Sequence, residues 1–319
     1  MILILSTPRD LDTQYVIDWL VKYEKDYFRL NDEDLINGNV EFFYNPKDEK
    51  KSYLKQSSKI LYIENIKVVW FRKFGFLKTY EEDLGKRNDL VKYLYSELKV
   101  ISNLLFKLLD NKTWLFKKKN MLTKLEILKL ANDVGINIPE TLITSRKSDL
   151  RSFFGINTSL ISKSIGDGKH IEYDNFNYPF YTVKIDSLEN IAEKFTTTLF
   201  QKYIHKEYEL RIFYIDEKFY SMVIFSQNNE KTKIDFRNYD FTNPNRFEPY
   251  ALPKKIEIQL NNLMKKIGLN TGSIDMIKGS DSKYYFLEVN PSGQFGMTSS
   301  PCNYPLHENV ANFLIKNSL

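Results

Sequence analysis

The residues whose types and spacing carry the most chemistry lie late in the chain, in Tyr284-Tyr285-Phe286-Leu287-Glu288-Val289-Asn290-Pro291, preceded by Gly272-Ser273-Ile274-Asp275-Met276. Both runs are apolar enough to be strands, and a hairpin-length gap separates them. Side chains alternate along a strand, so Glu288 and Asn290 project from one face about 7 Å apart, a span that one or two hydrated Mg²⁺ ions bridge. Asp275 on the neighbouring strand completes an all-oxygen set, and hard carboxylate and amide oxygens suit Mg²⁺, which keeps water and phosphate oxygens as its other ligands. Taken alone, a Glu-x-Asn pair reads as the polar face of a half-exposed strand. Here carboxylates on two apolar strands, closed by Pro291 and Gly293, are costly unless something pairs with them.

Three further segments bear chemistry. Ile161-Ser162-Lys163-Ser164-Ile165-Gly166-Asp167-Gly168-Lys169 ends a strand on a lysine and runs into a glycine-containing loop. A strand lysine is a point charge for phosphate oxygens, and Gly166 and Gly168 let backbone N–H groups approach them. Standing alone, the same loop is a plain hairpin turn. Phe200-Gln201-Lys202-Tyr203-Ile204 is followed by Glu209-Leu210-Arg211-Ile212, a pattern that an ordinary amphipathic edge strand also shows, and Lys124 sits in a helix that ends at Gly135.

Together, Asp275 with Glu288-Val289-Asn290-Pro291, the Lys163 strand with its flap, and the Gln201-to-Arg211 segment resemble the ATP-grasp superfamily of ligases. The resemblance implies ATP and Mg²⁺ as cofactors, with Asp275, Glu288 and Asn290 as metal ligands. It implies nucleotide contacts from Lys124, Lys163, Gly166, Gly168, Gln201, Tyr203, Ile204, Glu209 and Arg211. Tyr203 and Ile204 would give backbone contacts to the adenine, Glu209 would take the ribose hydroxyls, and Arg211 the γ-phosphate or acyl phosphate. A solvated helix lysine remains the plain reading of Lys124.

Within the superfamily the chain is most similar to the microviridin-type, or graspetide, peptide maturases, especially those of grasp-with-spasm systems. The segments that carry this are Val69-Trp70-Phe71-Arg72-Lys73, Glu97, Pro139-Glu140-Thr141-Leu142-Ile143-Thr144, Ile224-Phe225-Ser226-Gln227 and Ser300-Pro301-Cys302-Asn303-Tyr304-Pro305-Leu306. Phe71-Arg72-Lys73 departs from the aromatic followed by paired arginines typical of microviridin enzymes. The implied activity is an ATP-dependent closure of ω-ester or ω-amide macrocycles between Asp or Glu and Ser, Thr or Lys side chains of a ribosomally made precursor peptide, through an acyl phosphate. Lys163 and Arg211 would stabilise the charge that spreads in the transfer, and Arg237, in Asp235-Phe236-Arg237, falls where related ligases place an arginine near the acceptor; a surface ion pair is the competing reading. The resemblance also implies a precursor with leader and core segments, and a homodimer. A glutathione-like or glutamyl ligase that joins separate molecules is the alternative, and a non-catalytic nucleotide-binding module on the same fold is a third reading, against which all three candidate metal ligands stand.

Composition narrows the classes. The chain has 319 residues, 42% hydrophobic and 27% charged, which suits a folded protein of two or three sub-domains rather than a disordered one. The net charge of +5 is spread among 41 acidic residues, so no nucleic-acid stripe is expected, and Lys117-Lys118-Lys119 reads as a solvated face. Cys302 is the single cysteine, which excludes an intrachain disulfide and fits a reducing cytoplasm. The opening apolar run is too short for a signal peptide or a membrane span. His170, His205 and His307 lack metal-binding spacing and read as structural.

The elements that must position these groups are expected to form a mixed α/β (α+β) chain with an ATP-grasp fold. Residues 1–115 are assigned to an N-terminal pre-ATP-grasp α/β domain, 116–199 to a central subdomain with the phosphate flap, and 200–319 to a C-terminal subdomain with the metal site, ATP lying between the last two. Strands are predicted at Ile2–Leu5, Lys67–Arg72, Ile136–Ile138, Leu160–Lys163, Tyr181–Ile185, Leu210–Ile215, Lys218–Ser226, Ser273–Ile277 and Tyr284–Val289. Helices are predicted at Asp12–Lys25, Leu90–Leu109, Met121–Val134, Leu188–Thr198 and Lys254–Ile267, with Asn45–Ser58 as loop. Surplus aromatics between Phe213 and Phe247, among them Tyr220, Phe225 and Phe236, are candidate anchors for a leader helix or ordinary core.

Overall fold

Ile2, Leu3, Ile4 and Leu5 have almost no exposed surface, as a strand apolar at every position requires. They form β1 (Ile2–Ser6) in the computed structural model, which describes residues 1–75, 88–117, 122–166, 171–173, 176–178 and 181–319. Gly168, His170, Lys118 and Lys119 lie outside the described residues. Contacts divide the chain into two units: Met1–Lys119 with Gln294–Ser299 and Pro305–Leu319, and Asn120–Gly293 with Ser300–Tyr304.

In the first unit, β1, β2 (Tyr27–Asn31), β6 (Val68–Phe71) and β7 (Thr113–Leu115) make a parallel sheet in the order β2-β1-β6-β7. A smaller antiparallel sheet joins β3 (Glu41–Phe43), β4 (Tyr53–Gln56) and β5 (Lys59–Tyr62). β4 corrects the expectation of a loop over Asn45–Ser58. That segment is rich in lysine, but Leu54 is fully buried under the small sheet and Tyr53 stacks on Phe43 at 5.0 Å, so cross-strand packing overrides composition.

A buried ion network ties the β1 turn to the end of β6. Asp10 caps the helix Leu11–Lys22 by accepting the Thr13 N–H at 2.9 Å. Arg72 donates to Asp10 at 3.0 Å and to Asp12 at 2.7 Å, Lys73 reaches Asp10 at 2.9 Å, and His307 Nε2 lies 2.9 Å from Asp12. Arg72 and Lys73 of the departing motif are therefore ion-paired inside this unit, and His307 is part of its structure. Burial works to raise the Asp10 carboxyl, but Arg72, with hydrogen bonds from Lys73 and Thr13, holds it down at about 2. A carboxyl whose folded value is depressed contributes stability that is present above its unfolded value, near 3.9, and is lost as pH falls through about 2. Asp10→Asn keeps the cap and removes the charge. We expect it to destabilise the protein by about 2 kcal/mol at neutral pH and to flatten the acid limb of a chemical-denaturation series between those two pH values.

The second unit holds two larger sheets. β8 (Thr141–Arg146), β9 (Leu160–Lys163), β12 (Val183–Ile185) and β13 (Lys194–Lys202) form one, in the order β12-β9-β13-β8, and β10 (Ile171–Tyr173) pairs with β11 (Phe176–Tyr178) as a hairpin. β13 overturns the helix predicted over Leu188–Thr198. Leu188, Ile191 and Phe195 have helical spacing because they pack together beside Leu150, Leu160 and Phe200, while the run Thr196-Thr197-Thr198 is β-branched and continues into a strand. The other sheet is antiparallel, ordered β16-β15-β14-β17-β18, from β14 (Lys206–Ile215), β15 (Lys218–Phe225), β16 (Arg246–Tyr250), β17 (Thr271–Gly279) and β18 (Tyr284–Asn290). Ile136–Ile138, predicted as a strand, forms an isolated bridge between Asn137 and Tyr285.

The helices Lys124–Asp133 and Lys254–Lys266 pack Ile127, Leu128, Leu260 and Leu263 against Leu210, Ile212, Ile274, Met276 and Phe286 of the five-stranded sheet. The first begins at Lys124 because Thr123 and Glu126 form a reciprocal capping box there, and Gly135 follows it at φ +80. With Leu210 and Ile212 turned into this core, alternation turns Glu209 and Arg211 to the opposite face of β14.

Candidate active site

That opposite face borders an open cleft of ≈ 750 Å³ inside the second unit. Lys163 on β9, Tyr203 and Ile204 after β13, Glu209 on β14, Arg237, Asp275 on β17 and Glu288 on β18 all line it. Asp275 and Glu288 are direct cross-strand partners, and Ser273 is opposite Asn290.

β18 is not a regular strand. The pairing slips between Asp275 and Met276, so that Met276 faces Phe286 and Leu287 is the extra residue of a bulge. Phe286 and Val289 both turn into the core, and Leu287 and Glu288 both line the cleft. The strand then closes abruptly. Gly293 donates its N–H to the Asn290 carbonyl at 3.1 Å, and a Cβ there would lie 2.7 Å from the Ser273 side chain, so only glycine fits. Asn290 is exposed, its Oδ1 accepts the Ser292 N–H at 3.1 Å, and it is not among the residues that line the cleft.

Each carboxylate of the pair is countered by a cation. Arg211 Nη1 donates to both oxygens of Asp275 at 2.7 Å, and Lys124 Nζ is 3.0 Å from Glu288 Oε2. Burial lifts the Asp275 carboxyl above its ordinary value against the pull of Arg211, and the charge of Glu288 adds to the lift. Glu288 is half-buried, which works to raise it, but Lys124, Lys163 and Arg237 outweigh that and hold it below the usual range. Lys163 is lowered by burial, with Glu288 opposing and Lys124 and Arg237 adding to the shift, which places its ammonium in the same electrostatic field as the carboxylate pair.

The far end of the cleft is built around Glu209. Its Oε1 accepts Lys206 Nζ at 2.5 Å and Ser226 Oγ at 2.7 Å. A regular strand would turn Lys206 and Glu209, three apart, to opposite faces. The pairing of β14 with β17 slips between Lys206 and Tyr208, and this irregularity brings them together. Gln201 lies beneath the wall: it pairs with Ile161, which lines the cleft, and its Nε2 donates to Thr141 Oγ1 at 2.9 Å. Its Oε1 is buried, with no hydrogen-bond partner among the described residues.

Arg237 is ion-paired and also faces the cleft. Its guanidinium grips Asp235 through contacts of 2.8 and 2.6 Å, and it lines the cleft, where Asp235 also accepts the Thr182 N–H at 3.2 Å. Gly166 is exposed and not among the lining residues. Lys202, Lys206, Lys233, Asp235 and Phe236 line the cleft too. Of these, sequence reasoning offered only Phe236 as a ligand-facing candidate, as a leader anchor; the irregularity in β14 brings in Lys206, and loop closure brings in Lys233 and Asp235. Among the described residues no cluster of three or more His, Cys, Asp or Glu is suited to a metal, so a cation here would complete its shell from amide, water or phosphate oxygens.

This architecture is the ATP-grasp ligase fold. The chain is similar to solved ligases of that fold that act with peptides. It matches the RiPP-associated ATP-grasp ligase of Chryseobacterium gregarium, solved with ADP and a leader and core peptide, at 26% identity over 99% of this chain and 96% of that one, with a TM-score of 0.85. It matches the macrocyclase MdnC of Microcystis aeruginosa MRC, solved with the precursor peptide MdnA, at 25% identity over 99% of this chain and 100% of that one, with a TM-score of 0.84. The ATP-grasp ligase PsnB, solved with a precursor variant, Mg and ADP, shares the fold at 17% identity and a TM-score of 0.81, over 100% and 98% of the two chains. No protein-family model matches the sequence, and no curated protein matches it. No helix among the described residues is long and apolar enough to cross a membrane.

Proposed function

We propose that this chain is an ATP-dependent ligase that closes ω-ester or ω-amide macrocycles in a precursor peptide with leader and core segments. The observation that carries the reading is the meeting, in one cleft, of the opposed pair Asp275 and Glu288, Lys163, and the acid-lined end at Glu209. The near whole-chain likeness to two ligases solved with peptide substrates supports the substrate class.

The residues fit the groups the reaction needs. Gln201 Oε1, a buried acceptor with no donor among the described residues, suits the amino group of an adenine, with Tyr203 and Ile204 alongside and Glu209 placed for ribose hydroxyls. The hard oxygens of Asp275 and Glu288, with Asn290 beyond them, suit Mg²⁺, which when bound neutralises charge on the phosphates on both sides of the transfer. Gly166 and Gly168 belong to the proposed flap over the phosphates.

The chain's own groups then act as positioners. Lys163 and Lys124 direct positive charge at the phosphates, and Arg211 at the γ-phosphate. Arg237, held flat by Asp235, presents the rest of its guanidinium to the acceptor carboxylate. A carboxylate oxygen of a peptide Asp or Glu attacks the γ-phosphorus and ADP departs. A Ser or Thr hydroxyl or a neutral Lys amine of the same peptide then attacks the acyl carbon, the bond to phosphate breaks and the nucleophile's proton is released with the phosphate, which departs in place of hydroxide, a far poorer leaving group. The division at 1–115, 116–199 and 200–319 belongs to this proposal, supported by the separate sheets that carry Lys163 and Asp275. So do a homodimer, a cytoplasmic location and the absence of nucleic-acid or membrane partners.

The reading predicts that purified protein releases ADP from Mg-ATP only when a peptide bearing Asp or Glu with Ser, Thr or Lys is present. Release of AMP, or an ADP release indifferent to peptide, would overturn it.

A further inference from the structure

Glu209 sits at the cleft wall with 7% of its surface exposed, and a carboxylate meant to accept hydroxyl groups must keep its charge there. Burial works against that charge and lifts its pKa, while Lys206 and Ser226 pull the other way. Both donors engage the same oxygen, Oε1, and among the described residues none donates to Oε2. The Lys206 side chain is itself 4% exposed, so its ammonium is committed to this contact rather than to solvent.

We infer that Lys206 is a positioning residue that pins Glu209 by Oε1 and presents Oε2 to the sugar, so that the preference for a ribose over a 2′-deoxyribose nucleotide depends on it. The inference rests on the nucleotide reading of the cleft and goes beyond it by naming what sets sugar selectivity. Two donors on one oxygen restrict the rotation of the carboxylate and leave the lone pairs of its other oxygen to accept hydroxyl groups. Loss of the ammonium loosens that plane and raises the pKa of Glu209 further, so the acid is protonated at higher pH and accepts more weakly. The other charged groups lining the cleft are Lys163, Lys202, Lys233 and Arg237, which favour the ionised acid, and Asp235, Asp275 and Glu288, which oppose it; Arg211, on the same strand, favours it too. None of them donates a hydrogen bond to Glu209.

The test is calorimetric binding of ADP and of 2′-deoxy-ADP to the full chain across a pH series. In the wild type, ADP binds more tightly than its 2′-deoxy analogue. Lys206→Met is expected to weaken ADP roughly tenfold, to bring the ratio of the two Kd values close to one, and to move the acid-side loss of ADP binding to higher pH. Lys206→Arg restores most of the ratio because the charge returns. Ser226→Ala, which removes the second donor without stranding a buried charge, shifts the ratio in the same direction by less. A Lys206→Met protein that keeps both the wild-type ratio and the wild-type acid limb would overturn the inference. A wild type that binds neither nucleotide would overturn the nucleotide reading itself, a result visible before any variant is compared.

Discussion

Glu288→Gln is expected to lower peptide-dependent ADP release by roughly a thousandfold or more while leaving the fold intact. The substitution is nearly isosteric, so the packing around the bulge at Leu287 survives. What changes is charge. Glu288 balances Lys124 at 3.0 Å and lies directly across from Asp275, and the cluster that also contains Lys163 and Arg237 then has a single carboxylate left on that side. On the proposed reading, a divalent ion placed there would lose one of its two anionic ligands, and an amide oxygen would be a weaker replacement. The check is steady-state ADP release with a thermal melt beside it. A variant with normal melting and near-normal turnover would remove Glu288 from the metal role.

Lys163→Met should be the second most damaging change. Lys163 ends β9 in the cleft, and its ammonium is lowered by burial yet drawn up by Glu288, so it works where water screens little. Charge that spreads over the transferred phosphoryl group is stabilised more strongly in such a place than in bulk solvent. We expect turnover to fall about a hundredfold, with KM for ATP rising by less than about tenfold. The split follows from the proposed role, in which Lys163 would meet the phosphates in both the bound and the transferring state but would have more charge to stabilise in the latter. Initial-rate measurements at varied ATP separate the two effects. An unchanged turnover with only a raised KM would make Lys163 a binding group alone.

Much of the frame was legible in the residues because it follows from local physics. A run apolar at every position, Ile2 to Leu5, had to be buried on both faces, and Lys254–Lys266 shows its helical face plainly. The pairing of Asp275 with Glu288 followed from two apolar strands and a short gap. What escaped depends on departures from periodicity. Strict alternation places Glu288 correctly but not Leu287, and it sends Lys206 to the wrong face, since the irregularities that reorient both leave no mark in residue type. Helical spacing misled at Leu188–Thr198, where three apolar residues of an irregular stretch and a strand gather on one small core. Lysine content misled at Asn45–Ser58, where one buried leucine and one stacked tyrosine decide the matter. For Arg237 the residues left a place near the acceptor and a surface ion pair both open, and its joint place with Asp235 on the cleft wall comes from loop closure that no short window of sequence contains.

The measurement that bears most directly on the whole account is the intact mass of a candidate precursor peptide bearing Asp or Glu with Ser, Thr or Lys, after incubation with the protein, ATP and Mg²⁺. The account predicts a product lighter by one water for each ring, with fragment ions missing inside the ring, and no such product when ATP is withheld. A peptide recovered at its starting mass while ATP is consumed, or one made heavier by a joined amino acid, would contradict it.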